Sequence, residues 1–156
     1  MTVSATAAAK RLCVRSGWRL SNLEVQKLLY IAHMLHLGRT GEPLIDGHFE
    51  AWDYGPVEPR LYHELKMFGA DPVFNVFAGV RDLPDDSPEA MSLDQTQRML
   101  ADATPGRLVA ITHRDDGAWA RHYDSARRRV VIPNRDIAAE YLDRTNASRR
   151  RREQRP

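Results

Sequence analysis

Apolar residues recur at helical spacing near the start of the chain. In residues 4–16 a single apolar stripe follows the i, i+3, i+4, i+7, i+8 pattern and consists of Ala5, Ala8, Ala9, Leu12 and Cys13. This pattern predicts a first helix that ends at Ser16-Gly17. The stripe places Cys13 in the core. As the only cysteine it can form no internal disulfide or zinc-binding thiolate cluster, and no neighbouring base marks it as a nucleophile.

A second helix is predicted at residues 22–37, where the end signals are clearest. Ser21 and Glu24 have the spacing of a capping box, and Gly38 is placed to close the helix. Apolar residues cover most sides of this segment: Leu23, Val25, Leu28, Ile31, Ala32, Met34, Leu35 and Leu37. A helix that is apolar on most sides is buried, so we expect it at the centre of the domain.

Lys27 is the exception within this apolar helix. Helical spacing puts it beside Ile31 and Met34. Its ammonium must either extend to solvent along an apolar stem or meet a carboxylate inside the domain. Because lysine is rarely buried, we favour the solvent-exposed arrangement from this pattern alone.

The rest of the chain alternates short helical patterns with Gly- and Pro-rich connections. The patterns predict a strand at 48–54 stopped by Gly55-Pro56, helices at 59–68, 93–103, about 105–111 and 135–143, a turn at 114–117, and a strand at 129–132. Ser92 and Asn134 are the predicted N-caps of the 93–103 and 135–143 helices, and 70–90 is a long surface connection. The predicted fold is mainly α: a compact bundle of about six helices around the buried helix 22–37, with one or two short β-strands.

Charge is distributed unevenly along the 156 residues. The chain carries 23 basic and 21 acidic residues, and residues 144–156 hold six arginines and one glutamate, so the remainder has 17 basic and 20 acidic residues. We therefore predict one mildly acidic domain over 1–143 and a disordered arginine-rich tail over 144–156. An alternative function follows from the tail, which could contact nucleic acid through its arginines, although a solvated tail is the simpler interpretation.

Motifs for catalysis, metal or cofactor binding are lacking. No H-E-x-x-H zinc arrangement surrounds His33 and His36, which are three apart, and the phosphate-binding and nucleophile-elbow patterns are missing. His113 is the one candidate base, and a structural role is favoured because no partner nucleophile is identifiable. We predict no enzyme activity, cofactor, metal or membrane contact. With no apolar leader and one cysteine, we expect the protein in the cytoplasm.

The aromatic segment 49–54 has two interpretations. Trp52 and Tyr54 can fill the space between helices, since both bury large areas. They can also be exposed as anchors of a protein interface. We favour burial for Trp52 and leave both possibilities open for Tyr54.

These segments resemble the Panacea (SocA-like) antitoxin domain. The matching pieces are Leu20–Tyr30, which contains Lys-Leu-Leu-Tyr, and Phe49–Pro59, which contains Glu-Ala-Trp-Asp-Tyr-Gly-Pro-Val, followed by Leu61-Tyr62. Downstream, Ile111-Thr112-His113 and Trp119 are similar to the family's Thr-His…Trp element. The chain is shorter than the family pattern at residues 103–106. The family-motif residues are Lys27, Tyr30, Glu50, Trp52, Tyr54, Gly55, Pro56, Val57, Tyr62, His113 and Trp119.

The resemblance implies a mainly helical domain that neutralises a cognate toxin, usually encoded by the adjacent gene, through protein–protein binding. In one branch of the family the antitoxin is an adaptor that delivers its toxin to the ClpXP protease, so a Clp-type protease is a second implied partner. The motif residues are expected to be structural or partner-binding. Because Lys27 and Glu50 both lie in family-like motifs, we hypothesise that they form an ion pair inside the domain.

Overall fold

The computed structural model describes residues 1–156 and is mainly helical. It contains seven α-helices, one more than the predicted six, and one three-stranded antiparallel sheet. The elements are α1 (Ala5–Arg15), α2 (Asn22–Thr40), β1 (Phe49–Trp52), β2 (Gly55–Val57), α3 (Pro59–Leu65), α4 (Pro88–Met99), α5 (Pro105–Thr112), α6 (Ala118–His122), β3 (Val131–Ile132) and α7 (Asn134–Glu153), with a 3-10 turn at Lys66–Phe68 after α3. No helix is long and apolar enough to cross a membrane.

Helix α2 begins where the sequence predicts and ends three residues later. The Ser21 hydroxyl accepts a hydrogen bond from the Glu24 amide and the Glu24 side chain accepts one from the Ser21 amide, which confirms the capping box. The glycine that ends α2 in a left-handed conformation is Gly41, at φ 76°. The prediction that Gly38 closes the helix is therefore wrong.

Gly38 has a packing role inside α2. The ring of Tyr141 from α7 occupies the place that a Cβ at position 38 would take. The glycine therefore lets the two helices approach closely, and this requirement comes from a residue about a hundred positions away.

Helix α2 contacts most other elements. It packs against α1, α3, α4, α5, α7 and β2. Val25, Leu29 and Ala32 are fully buried, and the polar residues Gln26, Lys27, His33 and His36 are buried as well. The helix 22–37 is therefore the buried centre that its apolar pattern predicts, although it carries more polar side chains than that pattern suggests.

The small sheet has the strand order β2-β1-β3. β1 pairs with β2 in a hairpin, with Glu50 opposite Val57, and with β3 through Phe49 opposite Ile132. The predicted strand 48–54 is shorter, Phe49–Trp52, and Gly55-Pro56, which was expected only to stop it, forms part of the second strand β2. Pro56 is tolerated there because β2 is an edge strand.

Two predicted N-caps are wrong because each side chain has a tertiary partner instead. α4 begins at Pro88 with Ser87 as its cap, and Ser92 lies inside the helix, 2.7 Å from His36 Nδ1. α7 begins after Pro133, and the Asn134 side chain lies 2.9 Å from His33 Nε2. Helix α6 follows the predicted 114–117 turn and was not predicted, since five residues are too few to show a period.

The expectation for residues 144–156 differs from the structure, in which α7 continues to Glu153. The Arg144 guanidinium pairs with Glu140 one turn earlier, and arginine favours helix. Beyond Ala147 the side chains are exposed, so this end of α7 extends away from the body of the domain.

The connection between the 3-10 turn and α4 is tied to the body of the domain. Val73 and Phe77 are buried, and the Lys10 ammonium of α1 donates to the Val80 carbonyl at 2.6 Å. Arg11 holds Asp94 through two hydrogen bonds of 2.8 Å. The segment is long, as predicted, and α1 anchors it against α4.

Candidate functional site

The β1–β2 hairpin, residues 49–57, is where the predicted motif residues meet. Its two-residue tip is Asp53-Tyr54. Six of the eleven family-motif residues lie in the hairpin itself, and four more approach it from α2, α3, α5 and α6. Tyr30 contacts its first strand through Phe49, at a ring-centroid distance of 5.2 Å. The motif therefore describes a hairpin and the side chains that hold it.

Lys27 reaches the hairpin from α2. Its side chain is only 2% exposed, and Nζ donates a hydrogen bond of 3.0 Å to the carbonyl oxygen of Pro56. The ammonium forms no ion pair, and burial lowers its pKa to about 8. The favoured solvent-exposed arrangement of Lys27 is therefore wrong, because its stem runs inward beneath β2.

The hypothesised Lys27–Glu50 ion pair is also wrong. Glu50 instead accepts a hydrogen bond of 3.0 Å from the indole N–H of Trp52, and His48 Nε2 lies 3.1 Å from its other oxygen. The carboxylate thus organises its own strand, and the Lys27 ammonium is stabilised by a neutral carbonyl and not by a carboxylate.

Gly55 is required at the point where Lys27 passes beneath the strand. Its φ is 110°, a conformation that side chains disfavour, and a Cβ there would lie 3.2 Å from Lys27 Nζ and 3.3 Å from Thr112 Oγ1. The Gly-Pro pair thus brings the backbone close to Nζ and turns a carbonyl towards it.

Gln26 and Glu58 were not singled out from the sequence, although both lie within the matching segments. The Glu58 amide donates to Gln26 Oε1 at 2.8 Å, and Gln26 Nε2 donates to the Glu58 carbonyl at 3.2 Å. The Glu58 carboxylate then caps α3 by accepting the Leu61 amide at 2.6 Å. Glu58 directly precedes Pro59, and this N-cap position is the signal that could have identified it.

His113 and Trp119 hold the hairpin from its other side. The Trp119 indole N–H donates to the Trp52 carbonyl at 2.7 Å, and His113 Nε2 donates to the Asp53 carbonyl at 3.1 Å. The two rings also pack against each other, with centroids 3.6 Å apart and planes inclined by 33°. A histidine bound to a carbonyl must carry its proton on that nitrogen, so this geometry supports the structural role that the sequence favours.

Tyr30 joins α2 to α7 behind the sheet. Its hydroxyl donates to Glu140 Oε1 at 3.1 Å, and the same oxygen accepts the Ala118 amide at 2.8 Å. Burial and the Glu140 charge raise the pKa of the Tyr30 phenol well above its usual value. Glu140 is therefore the centre of a buried junction between α2, α6 and α7.

Tyr54 stands apart from the rest of the motif because its side chain is 73% exposed. Its neighbour Asp53 accepts a hydrogen bond of 2.7 Å from the Tyr123 hydroxyl. Trp52 and Tyr62 pack edge to face at 4.8 Å, so Trp52 helps fill the space behind the tip. The structure thus holds the tip backbone from several sides and leaves one aromatic ring in solvent.

A cleft of about 670 Å³ lies beside the tip, between α2, the hairpin, α3 and the connection from α6 to β3. Its aromatic wall is formed by Trp52, Tyr54 and Tyr62, and its basic wall by Lys66 and Arg127–Arg129. Nowhere in the chain do three His, Cys, Asp or Glu side chains group in a way that could hold a metal ion. The cleft and the tip together are the candidate binding site.

Residues 25–120 match the family described as "Antitoxin SocA-like, Panacea domain". The chain belongs to this antitoxin family. It is 32% identical over 109 residues to "Antitoxin SocA" of Caulobacter vibrioides (strain NA1000 / CB15N), an alignment that covers 64% of this chain and 58% of that relative. The chain thus spans a little over half the length of the curated relative it matches. No solved structure matches.

The span of the Panacea match agrees with the geometry of the hairpin. Residues 25–120 run from α2 to α6 and include Gln26, Lys27, His113 and Trp119, whereas Tyr123, which donates to Asp53 at the tip, lies just beyond them. Arg127–Arg129 and α7 lie outside it. Three of the four residues of the basic wall therefore lie beyond the matched region, and Lys66 lies within it.

Proposed function

We propose that this Panacea-family chain is an antitoxin that neutralises a cognate toxin by direct protein–protein contact through the hairpin tip. The single observation that carries the proposal is an exposed Tyr54 on a tip whose backbone is held by Pro56–Lys27, Asp53–His113 and Trp52–Trp119 hydrogen bonds. The proposed toxin is the product of the adjacent gene, and the proposed location is the cytoplasm.

Rigidity of the tip supports a binding role. Tyrosine is enriched at the centres of protein interfaces, because its ring buries a large area with few rotatable bonds. A backbone already held in one conformation loses little further entropy when a partner binds. Tyr54 therefore has the features of an anchor residue.

The same hydrogen bonds support a role without catalysis. Lys27 is buried against a carbonyl, and His113 is bound to a carbonyl and packed against Trp119. Neither side chain has a nucleophile within hydrogen-bonding distance, and the geometry that general base catalysis needs is not formed.

Co-expression with the adjacent gene tests the proposal. We expect the neighbour to arrest growth alone and the wild-type chain to restore it. Tyr54→Ser should lose the rescue, whereas Met99→Ser, which changes a 56% exposed side chain on α4, should retain it. A neighbour that is harmless alone, or rescue by both variants, would contradict the proposal.

Delivery of the toxin to a Clp-type protease is the second proposed mode, and toxin lifetime separates it from direct inhibition. In cells that lack the protease, direct inhibition predicts unchanged rescue and a stable toxin. Adaptor activity predicts loss of rescue in those cells, and a short toxin half-life in wild-type cells only when this chain is present.

A further inference from the structure

The cleft beside the hairpin carries a local charge opposite to that of the rest of the domain. Its lining includes Lys27, Lys66 and Arg127–Arg129 and a single acidic side chain, Asp53. Residues 1–143 as a whole hold 17 basic and 20 acidic residues. Positive charge is therefore concentrated in one concave place on a mildly acidic surface.

Apart from the buried Lys27, the basic side chains of the cleft form no close contact that the fold requires. Lys66, Arg128 and Arg129 are exposed and form no ion pair, and Arg127 approaches Asp124 only to 3.9 Å. By contrast, Lys10, Arg11 and Arg144 elsewhere in the chain are paired with carboxylates at 2.6–3.0 Å. The one acid of the cleft, Asp53, is bound to Tyr123.

The loop that presents these arginines is held in place at considerable backbone cost. Arg129 has a φ of 64°, a left-handed conformation that is unfavourable for a non-glycine residue. The following carbonyl, of Val130, accepts the Ala51 amide at 2.9 Å, so β1 keeps the loop beside the cleft. Strain that persists in a loop of exposed arginines is a feature expected of a binding surface.

One buried polar atom of the cleft, Asn22 Oδ1, also lacks a hydrogen-bond partner. Asn22 is 5% exposed and its Oδ1 accepts no hydrogen bond, while its Nδ2 makes one long bond of 3.5 Å to the Tyr62 carbonyl. Because the Tyr62 carbonyl can only accept, the amide nitrogen faces it through this one long bond, and the free atom is the acceptor. A buried acceptor of this kind costs free energy until a donor reaches it.

We infer that the cleft binds an acidic peptide segment of the partner protein, a statement that rests on the proposed function and names the chemistry of its partner. The carboxylates of such a segment pair with Lys66 and Arg127–Arg129. Its backbone N–H groups are donors for Asn22 Oδ1 after rotation of the weakly held amide. Its apolar atoms pack on Trp52 and Tyr62.

Nucleic acid fits the cleft less well than a peptide. A phosphodiester backbone supplies acceptors only, so the part of a nucleic acid that pairs with the basic wall brings no donor to Asn22 Oδ1. A polyanion longer than the cleft also runs over a body with a net negative charge, whereas a short acidic segment meets only the basic wall. The Trp52 indole is already packed edge to face on Tyr62 and bonded to Glu50, so it is not a free stacking platform.

Fluorescence polarisation of the full chain with labelled probes tests the inference. The probes are an octapeptide of alternating Glu and Gly, the same peptide with Gln in place of Glu, and a twelve-nucleotide oligo-dT. We expect the Glu peptide to bind, the Gln peptide to bind at least about tenfold more weakly, and added salt to weaken binding. Absence of Glu-peptide binding, or tighter oligo-dT binding through the same residues, would overturn the inference.

A matched pair of charge reversals assigns the binding to the cleft. Lys66→Glu with Arg128→Glu should weaken the Glu peptide by about tenfold or more. Arg150→Glu with Arg151→Glu reverses the same charge on the exposed end of α7 and should change affinity less than about twofold. Both pairs change exposed, unpaired side chains, so melting temperatures should match wild type. Equal losses in the two variants would show unspecific attraction and overturn the inference.

The co-expression assay distinguishes failure of the inference from failure of the proposed function. If wild type rescues growth and the Lys66→Glu, Arg128→Glu variant rescues equally well, the cleft does not bind the partner and the antitoxin proposal stands. If wild type gives no rescue, the antitoxin proposal fails, and the peptide measurements still decide the ligand chemistry of the cleft.

Discussion

The ammonium of Lys27 and the carbonyl oxygen of Pro56 lie 3.0 Å apart beneath the edge strand of the sheet. The contact joins the buried helix α2 to the hairpin that presents Tyr54. No carboxylate compensates the positive charge of Lys27 at this position. The free energy of unfolding therefore depends on the protonation state of the lysine.

Stability should therefore rise with pH through the titration of Lys27. Its pKa is about 8 in the folded chain and near 10.5 in the unfolded chain, so between these values the unfolded chain binds more protons and folding is favoured as pH increases. From pH 7 to 9.5 wild type should gain about 2 kcal/mol of unfolding free energy relative to Lys27→Met. Urea denaturation of both proteins measures this; parallel pH profiles would contradict it.

Gly55→Ala should destabilise the protein by about 1–3 kcal/mol, because the new methyl group meets Lys27 and Thr112 at a positive φ. Gly106→Ala is the matched control. Position 106 lies in α5, where a Cβ would meet no other atom within 4 Å, so alanine should stabilise it by about 0.4–1 kcal/mol. Thermal melting should shift the two variants in opposite directions, and a shift of both in one direction would refute the assignment.

His33 should make the protein sensitive to acid. Its Nδ1 accepts the Leu44 and Ile45 amides, Nε2–H faces Asn134 Oδ1, and burial lowers its pKa to about 4. Between pH 6.5 and 4 the unfolded chain binds the extra proton, so stability falls as pH falls. Relative to His33→Gln, wild type should lose about 3 kcal/mol between pH 7 and 4. An unchanged difference across this range would exclude a buried neutral His33.

Gly38→Ala should destabilise the protein although alanine favours helix, because the Tyr141 ring must move. We expect a loss of about 1–3 kcal/mol from overpacking. Tyr141→Ala opens the space, so in that background Gly38→Ala should gain up to about 1 kcal/mol from helix propensity. Denaturation of the four proteins of the double-mutant cycle measures the coupling. Additive effects would mean that the two residues are not in contact.

Local sequence signals were sufficient to predict a helix and its burial where a short segment satisfies its own hydrogen bonds. The Ser21–Glu24 capping box and the apolar pattern of α2 predicted the start and the burial of that helix, and both are confirmed. The same kind of reasoning failed at Gly38, Ser92 and Asn134, where it assigned helix ends. Each of these residues meets a side chain from another element, Tyr141, His36 or His33, and no local pattern contains that information.

In the candidate site, too, the sequence identified the residues but not the contacts between them. Motif similarity identified Lys27, Trp52, Tyr54, Gly55, His113 and Trp119 as a group, but it suggested a Lys27–Glu50 pair that the structure replaces with a lysine–carbonyl contact. It also did not identify Arg127–Arg129 as part of a cleft, because they lie in a connection outside the Panacea match. Sequence similarity reports which residues recur together and contains no distances between their atoms.

The amino-acid order by itself determined a mainly helical chain with a buried α2 and a hairpin motif, because caps and apolar periodicity act over a few neighbouring residues. Only the tertiary structure decided which polar groups meet: Lys27 with the Pro56 carbonyl, Glu140 with Tyr30, and four basic side chains with one cleft. Those choices depend on hydrogen bonds and charge contacts at distances near 3 Å between residues far apart in the chain. Such distances exist only once the helices have packed.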